Sequence, residues 1–198
     1  MMPNQQILER STNCVIVALS ETEIGKVILP NPYIWVESHT GKPVDFFNEK
    51  PSINKEITAL KFANTLNDLM PKFIRKQTWK DDEEDKEYDM MVMERLYVLP
   101  IHHFDVSTRT TMMDTFEEKM KELHDKLFVH ADFMRPTNYF TRDNLEWMFS
   151  NIVQTSRGLR LIDAGFGTIC KKDNIKEFVS ILMRERKEIG YFKKYYLS

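Results

Sequence analysis

The period of the apolar residues changes partway along the chain, and that change limits which folds are open to it. In the first half, β-branched residues come in short runs. Cys14–Leu19 (CVIVAL) and Glu23–Leu29 (EIGKVIL) read as strands, with Ser20, Glu21 and Thr22 between them at hairpin length. Residues 31–45 (NPYIWVESHTGKPVD) read as a strand and then a loop, punctuated by Pro and Gly. Ser52 is placed to cap a helix running to Leu69, with Ile53, Ile57, Leu60 and Ala63/Asn64 at three-to-four spacing and Pro71 as its stop. Lys72–Trp79 and Tyr88–Leu96 read as strands around Lys80–Glu87 (KDDEEDKE), a solvated charge run. In the second half the helical period takes over. A helix from Ser107 or Thr108 to Leu127 carries Met112/Met113, Phe116, Met120, Leu123 and Leu127 on one stripe, which reads as core. Trp147–Thr155 and Leu159–Ile162 bracket Ser156-Arg157-Gly158 as a hairpin, and a last helix runs from Asn174 to Ile189. That helix is expected to turn Ile175, Phe178, Ile181 and Leu182 inward and its charges outward. The sum is an α+β plan in two lobes, a β-rich one over 1–98 and a mainly helical one over 99–198.

Composition narrows the function classes. At 198 residues and 42% hydrophobic the chain suits one domain or two small lobes and is too apolar for wholesale disorder. With 28 basic and 30 acidic side chains it lacks the global footprint of a nucleic-acid binder. No apolar run approaches the roughly 18–20 residues a bilayer span needs, so no membrane partner is expected. The two cysteines, Cys14 and Cys170, cannot build a disulfide framework and suit a reducing compartment. The start, MMPNQQILERST, lacks a basic segment followed by an apolar one. The expectation is a soluble cytoplasmic globule.

Five polar residues stand out by position. Lys26 lies inside a strand, Glu56 beside the apolar face of a helix, His130 and Asp132 directly after the Met-striped helix, and Asp163 at the end of the hairpin, two residues before Gly165. Singly each is weak. A strand Lys or a helix Glu is usually a solvated charge, Asp-Ala-Gly is usually a turn, and His103-Phe104-Asp105 repeats the His-x-Asp pattern with nothing useful after it. Their order carries more.

Strand Lys26, helix Glu56, the strand end Met93-Glu94-Arg95-Leu96, His130-Ala131-Asp132, Asn151-Ile152-Val153 and then Asp163-Ala164-Gly165 resembles the protein-kinase-like fold over about residues 10–190. It looks most like the minimal kinases of bacteriophages and bacterial effectors, with a reduced C-terminal lobe. The resemblance implies an ATP- and Mg²⁺-dependent phosphotransferase of Ser/Thr protein kinase type, acting on a host or partner protein. In that reading Lys26 meets the nucleotide phosphates and Glu56 fixes its rotamer. Asp163 holds Mg²⁺, with Asn151 or Asn138 as a further metal ligand, and Asp132 takes the proton of the substrate hydroxyl. His130 packs under the Asp163 turn, main-chain groups at Glu94 and Leu96 meet adenine, and Gly165 supplies backbone freedom to that turn.

Three departures accompany the resemblance. The N-terminal turn, Glu9-Arg10-Ser11-Thr12-Asn13, has no glycine. The kinase motif puts its Asn five residues past the catalytic Asp, where Thr137 stands here; Asn138 comes one later, and Asn151 implies an inserted stretch, Arg135–Trp147. After Asp163-Ala164-Gly165 too little chain remains for an ordinary peptide-binding lobe. These departures keep open a catalytically weak pseudokinase that serves as a protein-binding module. Its contact candidates are the acidic loop Asp81–Asp89, the insertion and the aromatic tail Tyr191-Phe192…Tyr195-Tyr196, whose plainer role is to cover the small lobe's core. A third reading gathers His102, His103, Asp105 and His130 into a metal site.

Overall fold

In Cys14–Ala18 every second side chain is buried, and the residues that alternate inward, Val15 and Val17, are fully so. This period of two makes the segment a strand of an antiparallel sheet. In a computed structural model that describes residues 6–11, 14–29, 52–133 and 149–198, it is β2 of five strands. The others are β1 (Gln6–Arg10), β3 (Glu23–Ile28), β4 (Phe73–Asp81) and β5 (Lys86–Glu94), in the spatial order β1-β2-β3-β5-β4. Residues 31–45 lie outside the described residues.

β3 lies between β2 and β5, with Lys26 opposite Ile16 on one side and Met91 on the other. Gly25 precedes it for a steric reason: a β-carbon there would come within 2.2 Å of Met90 Sδ. Val15, Val17, Val27, Trp79, Met90 and Val92 form the core of this unit. β1 was not expected from the sequence. All five of its residues are exposed, so it has no buried alternation to betray it. Arg10 at its end reaches Asp81 on the opposite edge strand at 3.0 Å. The acidic run also differs from expectation: β4 and β5 extend into it and leave only residues 82–85 as a turn. Lysines make this possible. Lys76 pairs with Asp89 at 2.7 Å and Lys80 with Asp85 at 2.6 Å.

The described chain divides into two compact units, Met1–Asn54 with Phe73–Arg95, and Lys55–Lys72 with Leu96–Ser198. The second holds most of helix α1 (Ile53–Asn64), then α2 (Val106–Asp125), β6 (Phe128–Val129), the hairpin β7 (Ile152–Thr155) and β8 (Gly158–Leu161), β9 (Thr168–Ile169) and α3 (Ile175–Leu197). α1 buries Ile53, Ile57, Leu60 and Ala63, as its spacing requires, but ends at Asn64 rather than Leu69. Asparagine side chains end it. Asn64 Nδ2 donates to the carbonyl of Pro71, and Asn67 Oδ1 accepts from the amide of Leu69.

α2 starts earlier than expected, because Asp105 caps it by accepting from the Thr108 amide at 2.7 Å. Met113, Phe116, Met120 and Leu123 are its buried stripe. Leu127 does not belong to that stripe: it lies past the helix end at φ 62° and is 51% exposed. The hairpin is tighter than its sequence suggested, with Thr155 opposite Gly158 and only two residues between. α3 runs on past Ile189 to Leu197, so the aromatic tail is helix. Its rings cover the second unit's core, not the small lobe's: Phe192 lies 5.2 Å from Phe149 and Tyr196 is fully buried. Among the described residues, no helix is long and apolar enough to cross a membrane.

Candidate active site

β6 and β9 pair antiparallel, Phe128 with Ile169 and Val129 with Thr168. This short ladder anchors two segments that hold candidate site residues, one leaving β6 at His130 and one entering β9 from Asp163. His130 ties them. Its ring is fully buried, stacks on Phe133 at 5.2 Å, and sets Nε2 2.9 Å from the carbonyl of Ile162, the residue before Asp163. A carbonyl can only accept, so this nitrogen carries the hydrogen.

Asn151 adds a second tie. It stands just before β7, is 5% exposed, and donates through Nδ2 to both the carbonyl of Asp132 (2.8 Å) and its carboxylate Oδ2 (3.0 Å). The ladder continues beyond the hairpin, with the Ile162 amide donating to the carbonyl of Asn151 at 2.9 Å. Asp132, Asn151, His130 and Ile162, the residue before Asp163, are therefore held by one connected set of hydrogen bonds. Asn138 and the stretch Arg135–Trp147 lie outside the described residues.

Two backbone positions at this site are strained. Ala131 has φ 69° and Asp163 φ 60°, values that L-residues with a β-carbon rarely adopt. The turn's left-handed residue is thus Asp163 itself. Gly165, expected to supply that freedom, has no positive φ. Its requirement is space: a β-carbon at 165 would lie 3.2 Å from Asp163 Oδ1 and 3.7 Å from Glu56 Oε2. Asp163 is exposed, and its Oδ1 accepts from the Gly165 amide at 3.3 Å. Glu56, in the first turn of α1 and 1% exposed, adjoins the same turn.

Lys26 belongs to the first unit, in the middle of β3 and 6% exposed. Glu94 ends β5, and the chain leaves the first unit after Arg95, whose amide donates to the Thr22 carbonyl at 2.9 Å. Leu96 opens the next segment and is half-buried.

The histidine-rich alternative finds no support here. His102 and His103 are exposed, Asp105 is spent on capping α2, and His130 is engaged with Ile162. The cap bond holds the Asp105 carboxyl below its usual range. Among the described residues, no group of three or more His, Cys, Asp or Glu is placed to hold a metal ion.

The sequence reading missed the residues that brace this loop from α3. Glu185 is fully buried, accepts from the Ala131 amide through Oε1, and meets His124 of α2 at 2.9 Å through Oε2. Arg184 donates to the carbonyl of Ala131 at 2.7 Å. The strained Ala131 is thus gripped at both polar ends by one helix. Glu188, one turn on, is also buried, and burial raises its carboxyl to about 7, with Glu185 and Asp132 adding to the rise against the lowering effect of Arg184. The expectation that α3 turns its charges outward fails here, and Ile175, expected inward, is 54% exposed. A signal existed. Glu185 and Glu188 share the three-to-four spacing of Phe178, Ile181, Ile189 and Phe192, and a carboxylate in such a series needs a buried partner.

No family model matches the sequence, and no curated protein does. Among solved structures the chain is similar to the Cydia pomonella granulovirus kinase PK-1, at 13% identity and a TM-score of 0.48 over 83% of this chain and 52% of that one. The chain spans about half the length of that kinase.

Proposed function

We propose that this chain is a kinase-like phosphotransferase that uses ATP and Mg²⁺ and acts on a Ser/Thr hydroxyl of a partner protein. The observation that carries this reading is the Asn151 amide bridging the main chain and carboxylate of Asp132, which fixes the aim of an acid on a braced loop. Asp163 brings a carboxylate and Asn151 an amide oxygen; both are hard oxygen donors of the kind Mg²⁺ prefers, so the residues present fit the ion. When bound, the ion neutralises phosphate charge. Asp132 is the proposed acceptor of the hydroxyl proton as that oxygen bonds to the γ-phosphorus and the bond to the β–γ bridging oxygen breaks, releasing ADP. Lys26 is the proposed phosphate-binding amine, Glu56 the residue that sets its rotamer, and the main chain at Glu94 and Leu96 the adenine contact.

One observation favours the binding-module reading. The β1–β2 connection has no glycine, and the Ser11 hydroxyl there already accepts from the Cys14 amide at 3.1 Å. Nucleotide dependence separates the two. For an active enzyme, Mg²⁺-ATP raises the melting temperature through ligand linkage, and Asp163→Ala or Lys26→Met removes the rise. Asp132→Asn keeps the rise and loses the discrete mass increment of phosphoryl transfer. A rise without transfer in the native chain supports the binding module. No rise with any nucleotide retires the enzyme reading and leaves the protein-binding module.

A further inference from the structure

Helix α3 grips the residue before Asp132 with two side chains, and they differ in what keeps them there. Glu185 has no alternative, because it is fully buried where it accepts the Ala131 amide. Arg184 has one. Its side chain is 45% exposed, so water competes for the Nη2 donor that it gives to the Ala131 carbonyl at 2.7 Å. Charge turns the guanidinium inward. Glu188, one turn along the same helix, sets Oε1 3.5 Å from Arg184 Nε. One planar fork thus spans the loop and a carboxylate.

That carboxylate is poorly served otherwise. Glu188 is 6% exposed, and among the described residues its Oε2 has no hydrogen-bond partner. The charges that act on it are Arg184 and Glu185 of α3 and Asp132 after β6. On α2, His124 meets Glu185, and Asp114 and Glu117 pair with Lys193, more than a turn further along α3. Burial and two acids oppose ionisation against one half-exposed cation, which lifts the Glu188 carboxyl to about 7. It therefore changes charge in the neutral range, and its pull on Arg184 changes with it.

The consequence falls on Asp132. The Ala131 carbonyl and the Asp132 N–H belong to one rigid peptide plane, so fixing the oxygen fixes how the Asp132 backbone departs. Ala131 sits at φ 69°, a conformation that persists only where its surroundings hold it. Releasing Arg184 removes one of the two side-chain grips that α3 has on it.

We infer that Glu188 is a pH-responsive positioning residue: ionised, it keeps Arg184 on the Ala131 carbonyl and Asp132 in place, and protonated, it lets that hold go. This role rests on the proposed use of Asp132 as acceptor of the hydroxyl proton.

Two readouts test it on the full chain. The first is the Asp132 backbone amide resonance, followed by NMR from about pH 5.5 to 8.5. It should move with a midpoint of about 7 and lose that movement in Glu188→Gln. In Arg184→Met the Glu188 side-chain carboxyl carbon should still titrate, at higher pH, while the amide response shrinks by more than half. Cooperative melting verifies that both variants fold. A midpoint that survives Glu188→Gln belongs to another group, such as His124, and overturns the inference. So does an undiminished response in Arg184→Met, which would be a field effect through space. The second readout is phosphoryl transfer against pH. The native rate should fall about fivefold between pH 8 and pH 6, and Glu188→Gln should show less than half of that dependence at an unchanged Mg²⁺-ATP melting shift. Equal profiles in the two proteins overturn the positioning role while leaving the enzyme. The expected amide shifts with no transfer at any pH would instead retire the phosphotransferase and uphold the coupling of Glu188 to the loop.

Discussion

Glu188 sets a pH signature of its own. Its carboxyl is raised to about 7 in the folded chain by burial, against about 4.5 for the free side chain. Between those values the folded state holds a proton that the unfolded state has released, so stability falls as pH rises through this window and is fully present below it. Glu188→Gln should therefore gain roughly 2–3 kcal/mol over the native chain at pH 8 and lose that advantage by pH 4.5, as read from urea midpoints at the two pH values. Glu185 is a different case, because its oxygens are spent on the Ala131 amide and on His124. Glu185→Ala would strand both partners in the interior and cost on the order of 3–5 kcal/mol. Gly165→Ala tests the crowding at Asp163. Displacing that carboxylate by a few tenths of an ångström should shrink the Mg²⁺-ATP melting shift while the nucleotide-free stability changes by less than about 1 kcal/mol.

At the scale of elements, local pattern and tertiary context divide the credit. α1 and α2 were legible because their buried residues recur at helical spacing with little interruption, and β2 because its burial alternates. Their ends were less so. α1 stops where Asn64 and Asn67 turn their side chains onto the backbone, a choice that the apolar residues Leu66 and Leu69 conceal. β1 escaped notice because an edge strand with both faces exposed leaves no hydrophobic trace. β3 offers a test of close strand packing. Gly25→Ala should cost about 1–3 kcal/mol through the clash with Met90, and much less in a Met90→Ala background, so a double-mutant cycle should return a clear coupling.

Taken whole, the molecule has two compact units, each with its own apolar core. Trp79, 6% exposed and stacked on Tyr88, belongs to the first. Trp79→Ala should cost about 3–5 kcal/mol and lower hydrogen-exchange protection in β2, β3 and β5. An equal fall in α2 and α3 would show that the chain opens as a single cooperative body. Asp132, Asn151 and Asp163, singled out in the sequence by their order, lie on segments that Asn151 and Ile162 join through hydrogen bonds. What supports them was not readable, because Arg184 and Glu185 reach Ala131, and Glu185 reaches His124, only after the chain has folded back more than 50 residues. His130 offers a practical handle on that arrangement. Its Nε2 hydrogen, shut away from water and aimed at the Ile162 carbonyl, should give a slowly exchanging downfield proton resonance, told apart from that of buried His124 by its loss in His130→Gln. A spectroscopist following that one peak would watch both acid-bearing segments at once, and would see it vanish whenever either let go.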